Sequence, residues 1–268
     1  MKHSFPGRTP SGFSTCDLLA VVATAGLVLG LMLSVGAGTR QTSEAILCRA
    51  NLRHQGQAWQ AYALDHRDQV IGRGPGQEGG AAAMDGEYWA VGGVSWDAVS
   101  SVTNVQNVQV PAFVPYVGQS PRVFRCPADR YLSSAQVRRG WSFRVRSYSM
   151  NGFFGPAFQG FGSLRQFERL TDVPEPSRYF VLAEEHSDSI NDSTFFTSSG
   201  VPSGWVDLPA AFHERSAHFL FADSHVETRE WESERTLIPV RFVFQMPSPS
   251  ARDPDFRWLF ERTSLSPP

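Results

Sequence analysis

Residues 11–38 read SGFSTCDLLAVVATAGLVLGLMLSVGAG, and the fold turns on how that stretch is understood. The 21 residues 18–38 carry no charge. Wound as a helix at ~1.5 Å per residue they extend about 31 Å, the thickness of a ~30 Å hydrocarbon core. A buried core helix would show a polar stripe, whereas this run is apolar all round. A cleaved secretory signal is the stronger rival, with small residues at Val35-Gly36-Ala37 and a charged start at Lys2 and Arg8. The run exceeds the ~7–15 residues of an ordinary signal core, which favours a retained spanning helix. Charge cannot orient it, because Lys2, Arg8 and the terminal amine before it are matched by Arg40, Arg49 and Arg53 after it.

Composition narrows the class. The chain has 268 residues, a net charge of −2, 41 % hydrophobic and 19 % charged residues. That balance excludes a disordered acidic tail, a collagen and a basic nucleic-acid binder. A mean hydropathy of −0.24 excludes a multi-span membrane protein but not a single span. Lys2 is the only lysine, and the 23 glycines and 18 prolines place much of the chain in loops.

The residues ahead of the apolar run are the informative ones. Gly12-Phe13 is followed by Asp17, a carboxylate that is costly at the edge of a spanning segment unless it finds a partner. This arrangement resembles the prepilin signal of type IV pilins and type II secretion pseudopilins. The resemblance implies cleavage between Gly12 and Phe13 by a prepilin peptidase, N-methylation of Phe13, and retention of the helix. It assigns Asp17 to assembly with other pseudopilin subunits in the inner membrane. The family acid is usually Glu, and here Asp17 is one methylene shorter; Ser14-Thr15-Cys16 replaces the usual Thr-Leu-Ile.

Beyond Gly38 the pattern turns amphipathic. Ala45, Cys48, Leu52, Trp59 and Ala63 recur at helical spacings, with Arg49, Arg53, Gln57 and Gln60 between them. Cys48-Arg-Ala-Asn51-Leu52-Arg53 is similar to an element that opens this half-helix in a large bacterial pseudopilin-like group. Residues 72–95 are glycine-rich without a period and read as a long surface loop. No Lys-Ser/Thr follows them, so they are no phosphate cradle. Further on, residues 144–150 alternate up to the turn dipeptide Asn151-Gly152, residues 178–183 read as a central strand, and residues 219–222 and 226–231 flank a turn at Asp223-Ser224. Six ordered motifs, Phe124 to Asp129, Arg146 to Gly152, Leu170 to Arg178, Glu184-Glu185, Ser189 to Asp192 and His213-x9-Asp223, resemble a planctomycete- and verrucomicrobium-like group of prepilin-type proteins ending in His-x9-Asp-Gly. Ser224 stands where that group has Gly, in a turn that calls for a left-handed residue.

His213, His218, Asp223 and His225 invite a metal-site reading, but along a strand His218 faces away from Asp223 and His225. The preferred reading is structural, with His213 and Asp223 hydrogen-bonded to each other or to backbone, and with no metal. Glu184, Glu185, Asp188, Asn191 and Asp192 form an oxygen-rich loop of the kind in which several pseudopilins bind calcium; a solvated acidic turn is the preferred alternative. With Cys16 at the start of the apolar run, Cys48 and Cys126 remain in the expected periplasmic part, either as a disulfide or as two buried thiols.

The expected architecture is α+β and pilin-like: a leader (1–12), a transmembrane helix (13–39), its amphipathic continuation (40–66), an antiparallel β-rich periplasmic domain (67–245) and a tail with a short helix (246–268). The expected function is that of a non-enzymatic pseudopilin-like subunit of a type II secretion or type IV pilus-like system, single-pass in the inner membrane. The alternative is an exported or membrane-anchored hydrolase or carbohydrate-binding β domain.

Overall fold

The computed structural model describes residues 14–74, 87–156, 164–197, 205–244 and 252–265, with backbone alone for residues 28–40. The expected leader, Gly12 and Phe13 lie outside the described residues. The chain divides into two compact units, Met1–Ser43 and Glu44–Pro268. One helix, α1 (Thr15–Asp65), has residues in both.

In the first unit α1 begins at a reciprocal cap. The Ser14 hydroxyl accepts the Asp17 N–H at 3.2 Å, and Asp17 Oδ2 accepts the Ser14 N–H and hydroxyl at 2.9 and 2.8 Å. Two donors that no helical carbonyl could reach are thereby satisfied. The same bonds hold the Asp17 carboxyl below its ordinary pKa. Leu18, Leu19, Val21, Val22 and Leu27 are exposed. The Thr24 hydroxyl donates to the Ala20 carbonyl at 2.9 Å, so it is satisfied within the helix.

The transmembrane expectation is corrected. Among the described residues no helix is long and apolar enough to cross a membrane. Of the apolar run, the described side chains are those of residues 18–27, about 15 Å of helix and half of a hydrocarbon core. The single-pass inner-membrane placement and the periplasmic side inferred from it fall with that expectation.

In the second unit α1 presents Cys48, Leu52, Gln55, Trp59, Tyr62 and Ala63 to the core, while Leu47 and Leu64 remain exposed. That one-sided burial follows the three- and four-residue spacing of the sequence. Gly56 lets the helix lie against the sheet, since a Cβ there would come within 2.6 Å of Leu220 Cδ1. The helix ends where Arg67 and Asp68 adopt positive φ.

The sheet has five strands: β1 (Tyr148–Asn151), β2 (Phe180–Glu184), β3 (Thr194–Phe195), β4 (Ser216–Phe221) and β5 (Val226–Glu230). Their order is β3-β1-β2-β4-β5, with β2 in the middle. The expected antiparallel sheet is corrected to a mixed one, because β3 pairs parallel with β1 through Met150↔Thr194. Strands β1, β2 and β4 are buried along their whole length. Pleating sends His218, Leu220 and Ala222 of the β4 segment towards α1. It sends Ala217, Phe219 and Phe221 into a second core with Trp231, Phe256 and Leu259. The last two belong to a short C-terminal helix (Pro254–Phe260), N-capped by Asp253, which accepts the Asp255 and Phe256 N–H groups.

Residues 72–95 also depart from the surface-loop reading where they are described. Trp89 and Ala90 are fully buried, and the Trp89 indole donates to the Ser193 carbonyl at 3.2 Å. At the β4–β5 turn Ser224 has φ +70°, and its buried hydroxyl has no partner. Ser224→Gly is therefore expected to stabilise the protein by about 1 kcal/mol, read as a rise in the urea midpoint at unchanged slope.

Candidate functional site

A charged residue at the end of an otherwise apolar central strand needs partners, and Glu184 has several. It is fully buried on the α1 side of β2. Its Oε1 accepts from His213 Nε2 at 2.9 Å and from Cys48 Sγ at 2.5 Å, and its Oε2 accepts the His218 backbone N–H at 2.6 Å. Cys48 arrives from α1 and also meets the Tyr148 hydroxyl of β1 at 2.9 Å. His213 sits in the loop entering β4, which folds back through Glu214 and Arg215, both at positive φ. The backbones of His213 and Ser216 bond reciprocally at 3.2 and 3.0 Å and close that loop. His218, on β4, stacks on His213 with ring centroids 4.4 Å apart.

Electrostatics follow from this packing. Burial opposes charge on Glu184, but the His213 hydrogen bond and charge, the His218 imidazole and the Cys48 thiol outweigh it and hold the carboxyl below its usual value. Burial likewise opposes a charged His213, yet Cys126 and Glu184 raise it to about 10. At neutral pH these two groups form a buried ion pair. Burial, reinforced by the charge on His213, lowers His218 to about 4 against the attraction of Glu184, so His218 is neutral. Burial above all pushes the Cys48 thiol well up, with Cys126 and Glu184 adding to it.

The four ligand-type atoms of Cys48, Glu184, His213 and His218 lie within 4.8 Å of one another. The sequence groups His213 and His218 with Asp223 and His225, sets Cys48 with Cys126 and Glu184 in the acidic loop, and gives no sign that Cys48 and Glu184 join the two histidines. The structure does not bring His213 to Asp223, because the two lie at opposite ends of the six-residue strand β4, about 20 Å long. Asp223 Oδ1 instead accepts the His225 backbone N–H at 3.1 Å, the backbone alternative of that reading, and meets His225 Nδ1 at 2.6 Å, on the surface. Cys48 and Cys126 are both buried free thiols, and Cys126 Sγ lies 3.2 Å from His213 Nε2.

The solvated acidic turn preferred for residues 184–192 is corrected, because Glu184, Glu185 and Asp188 are buried, and the oxygens weighed for calcium go to separate partners. Glu185 Oε1 accepts from the Ser189 hydroxyl at 2.5 Å. Asp188 accepts the Arg241 and Phe242 N–H groups and the Trp96 indole, and Asp192 accepts the Thr194 N–H. Asp129, from the Phe124–Asp129 motif, pairs with Arg144 at 3.3 Å and accepts from the Ser147 and Ser187 hydroxyls. Buried polar residues with several internal partners fix loop geometry.

A solvent-facing cleft of about 830 Å³ lies elsewhere in the second unit, lined by Leu47, Asn51, Arg122, Arg125, Ser142 and Phe143 among others. Comparison with protein-family models, with curated proteins and with solved structures finds no match.

Proposed function

We propose that the chain is a pseudopilin-like structural subunit that acts by assembly in a type II secretion or type IV pilus-like system, after a prepilin peptidase cuts between Gly12 and Phe13. The observation that carries this reading is the Gly12-Phe13-x3-Asp17 signal heading a single helix of 51 residues. The exposed Leu18, Leu19, Val21, Val22 and Leu27 are the surface this reading gives to neighbouring subunits. Isolated apolar residues on a surface need no explanation, but a helix apolar all round does. The buried placement of Cys48, Glu184 and His218 also favours a structural role, since a substrate would have to open the core to reach them.

Asp17 provides the test. In this reading its carboxylate neutralises the new Phe13 amine of a neighbouring subunit, while within its own chain it caps α1. Asp17→Asn keeps an oxygen for the Ser14 N–H but removes the charge; Asp17→Glu keeps the charge. Crosslinking between subunits in the native cells is expected to fall severalfold for Asp17→Asn and to persist for Asp17→Glu. If Asp17→Asn crosslinks like wild type, the residue is a helix cap and the assembly role is wrong.

A further inference from the structure

We infer that Cys48, Glu184, His213 and His218 form a structural zinc(II) site that ties α1 to the central strands. The inference stands apart from the assembly reading and does not depend on it.

The donor set comes first. A thiolate, a carboxylate and two imidazoles are each zinc ligands, and the mixture of soft and borderline donors disfavours calcium and magnesium. Zinc distances of about 2.3 Å to sulfur and about 2.0–2.1 Å to nitrogen and oxygen set tetrahedral edges of about 3.3–3.6 Å. The observed separations run from 2.5 Å for Cys48–Glu184 and 2.9 Å for His213–Glu184 to no more than 4.8 Å, bracketing that edge. A central ion therefore requires side-chain adjustments of an ångström or so and no movement of the strands.

An independent observation concerns His218. This side chain is 1 % exposed, and its Nε2 has no hydrogen-bond partner, a costly state for a buried polar atom. Its other nitrogen, Nδ1, is held 2.9 Å from the Thr228 hydroxyl. With Nδ1–H donating to Thr228, the Nε2 lone pair is left for the cluster. Fixing one imidazole nitrogen by an outer partner while the other ligates is the habitual arrangement of metal-bound histidine. The Glu184 backbone-directed oxygen is likewise occupied, by the His218 N–H, which leaves Oε1 as the ligand.

Charge agrees with the burial. Zinc(II) with one thiolate, one carboxylate and two neutral imidazoles is neutral overall, and only a neutral centre suits a core this dry. On binding, the Cys48 thiol and the protonated His213 each release a proton to solvent. Four protein ligands leave no open position, which makes the site structural and not catalytic. Cys126 lies outside the four-atom group and serves as the control.

The test uses the full chain, kept reduced, stripped with a chelator and dialysed first against zinc(II) or cobalt(II) and then against metal-free buffer. Wild type is expected to retain about one equivalent of metal. Its cobalt form should show thiolate-to-metal charge transfer and the intense visible bands of a tetrahedral site. Cys126→Ser should keep both, Cys48→Ser should lose the charge-transfer band, and His218→Ala should lose retained metal at least tenfold. The wild-type spectrum decides even if a variant fails to fold. Absence of retained metal, a thiolate band that survives Cys48→Ser, or a Cys48–Cys126 disulfide in protein isolated from its native source would each overturn the site.

Discussion

Trp59→Ala is expected to destabilise the second unit by about 3–5 kcal/mol, the range for truncating a large buried aromatic. Trp59 is 1 % exposed, meets Phe154 edge-on with centroids 5.6 Å apart, and donates from its indole to the Ile71 carbonyl at 3.2 Å. Truncation leaves a cavity between α1 and the sheet and a buried carbonyl without its donor. For a unit of this size each kcal/mol shifts the midpoint by roughly 2–4 °C, so the thermal transition should fall by roughly 6–20 °C. Leu64→Ala, on the exposed side of the same helix, should change stability by less than about 0.5 kcal/mol. Equal effects at the two positions would mean that residues 44–65 do not form the core face described above.

The second large effect is a pH dependence set by Glu185. Burial raises its carboxyl to about 8, and the charge on Asp192 adds to this; the Ser149 and Ser189 hydroxyls and Arg146 act in the opposite direction. Asp207, also driven well up by burial, faces the same group. Because the folded value lies above the unfolded one, the folded state holds a proton that the unfolded chain has already lost. Stability is therefore full below about pH 4.5 as far as this group is concerned, and it drains away as pH rises through about 8. The span corresponds to at most about 5 kcal/mol. Urea midpoints taken between about pH 5 and about pH 8.5 should fall more steeply for wild type than for Glu185→Gln, which keeps only the slope that Asp207 and His213 contribute in the same direction. Parallel profiles would show that Glu185 is ionised in the folded protein.

The sequence carried the parts of this structure that depend on local periodicity. Cys48, Leu52, Trp59 and Ala63 mark the inward side of α1 by spacing alone, and the apolar residues 179–183 mark the strand at the middle of the sheet. Ser224 was legible from turn chemistry, and it does sit at positive φ. Other features were set by contacts remote in the chain. The two-residue strand β3 is too short for a pattern, so its parallel pairing with β1 left no trace in the sequence. Trp89 sits in a glycine-rich stretch with no period, yet the backbone around Ser193 buries it.

The buried site failed to show for a related reason. His213 stands out in the sequence, but the spacing offers it only Asp223, at the far end of β4, or backbone as a partner. The actual partner, Glu184, lies 29 positions away, and Cys48 lies 136 positions from Glu184. One signal was available: a carboxylate closing an apolar central strand requires a buried counter-charge, and His213, just before the neighbouring strand β4, is placed to supply it. A spanning helix was the boldest expectation drawn from residues 18–38, and it is the one the described residues do not carry.

Processing by a prepilin peptidase leaves its mark on the first residue of the mature chain. Protein purified from its native source and sequenced from its first residue is expected to begin at Phe13, with that residue N-methylated, and Gly12→Val should leave the chain uncut. A mature chain beginning at Gly38 or Thr39, or one still beginning at Met1, would contradict the account.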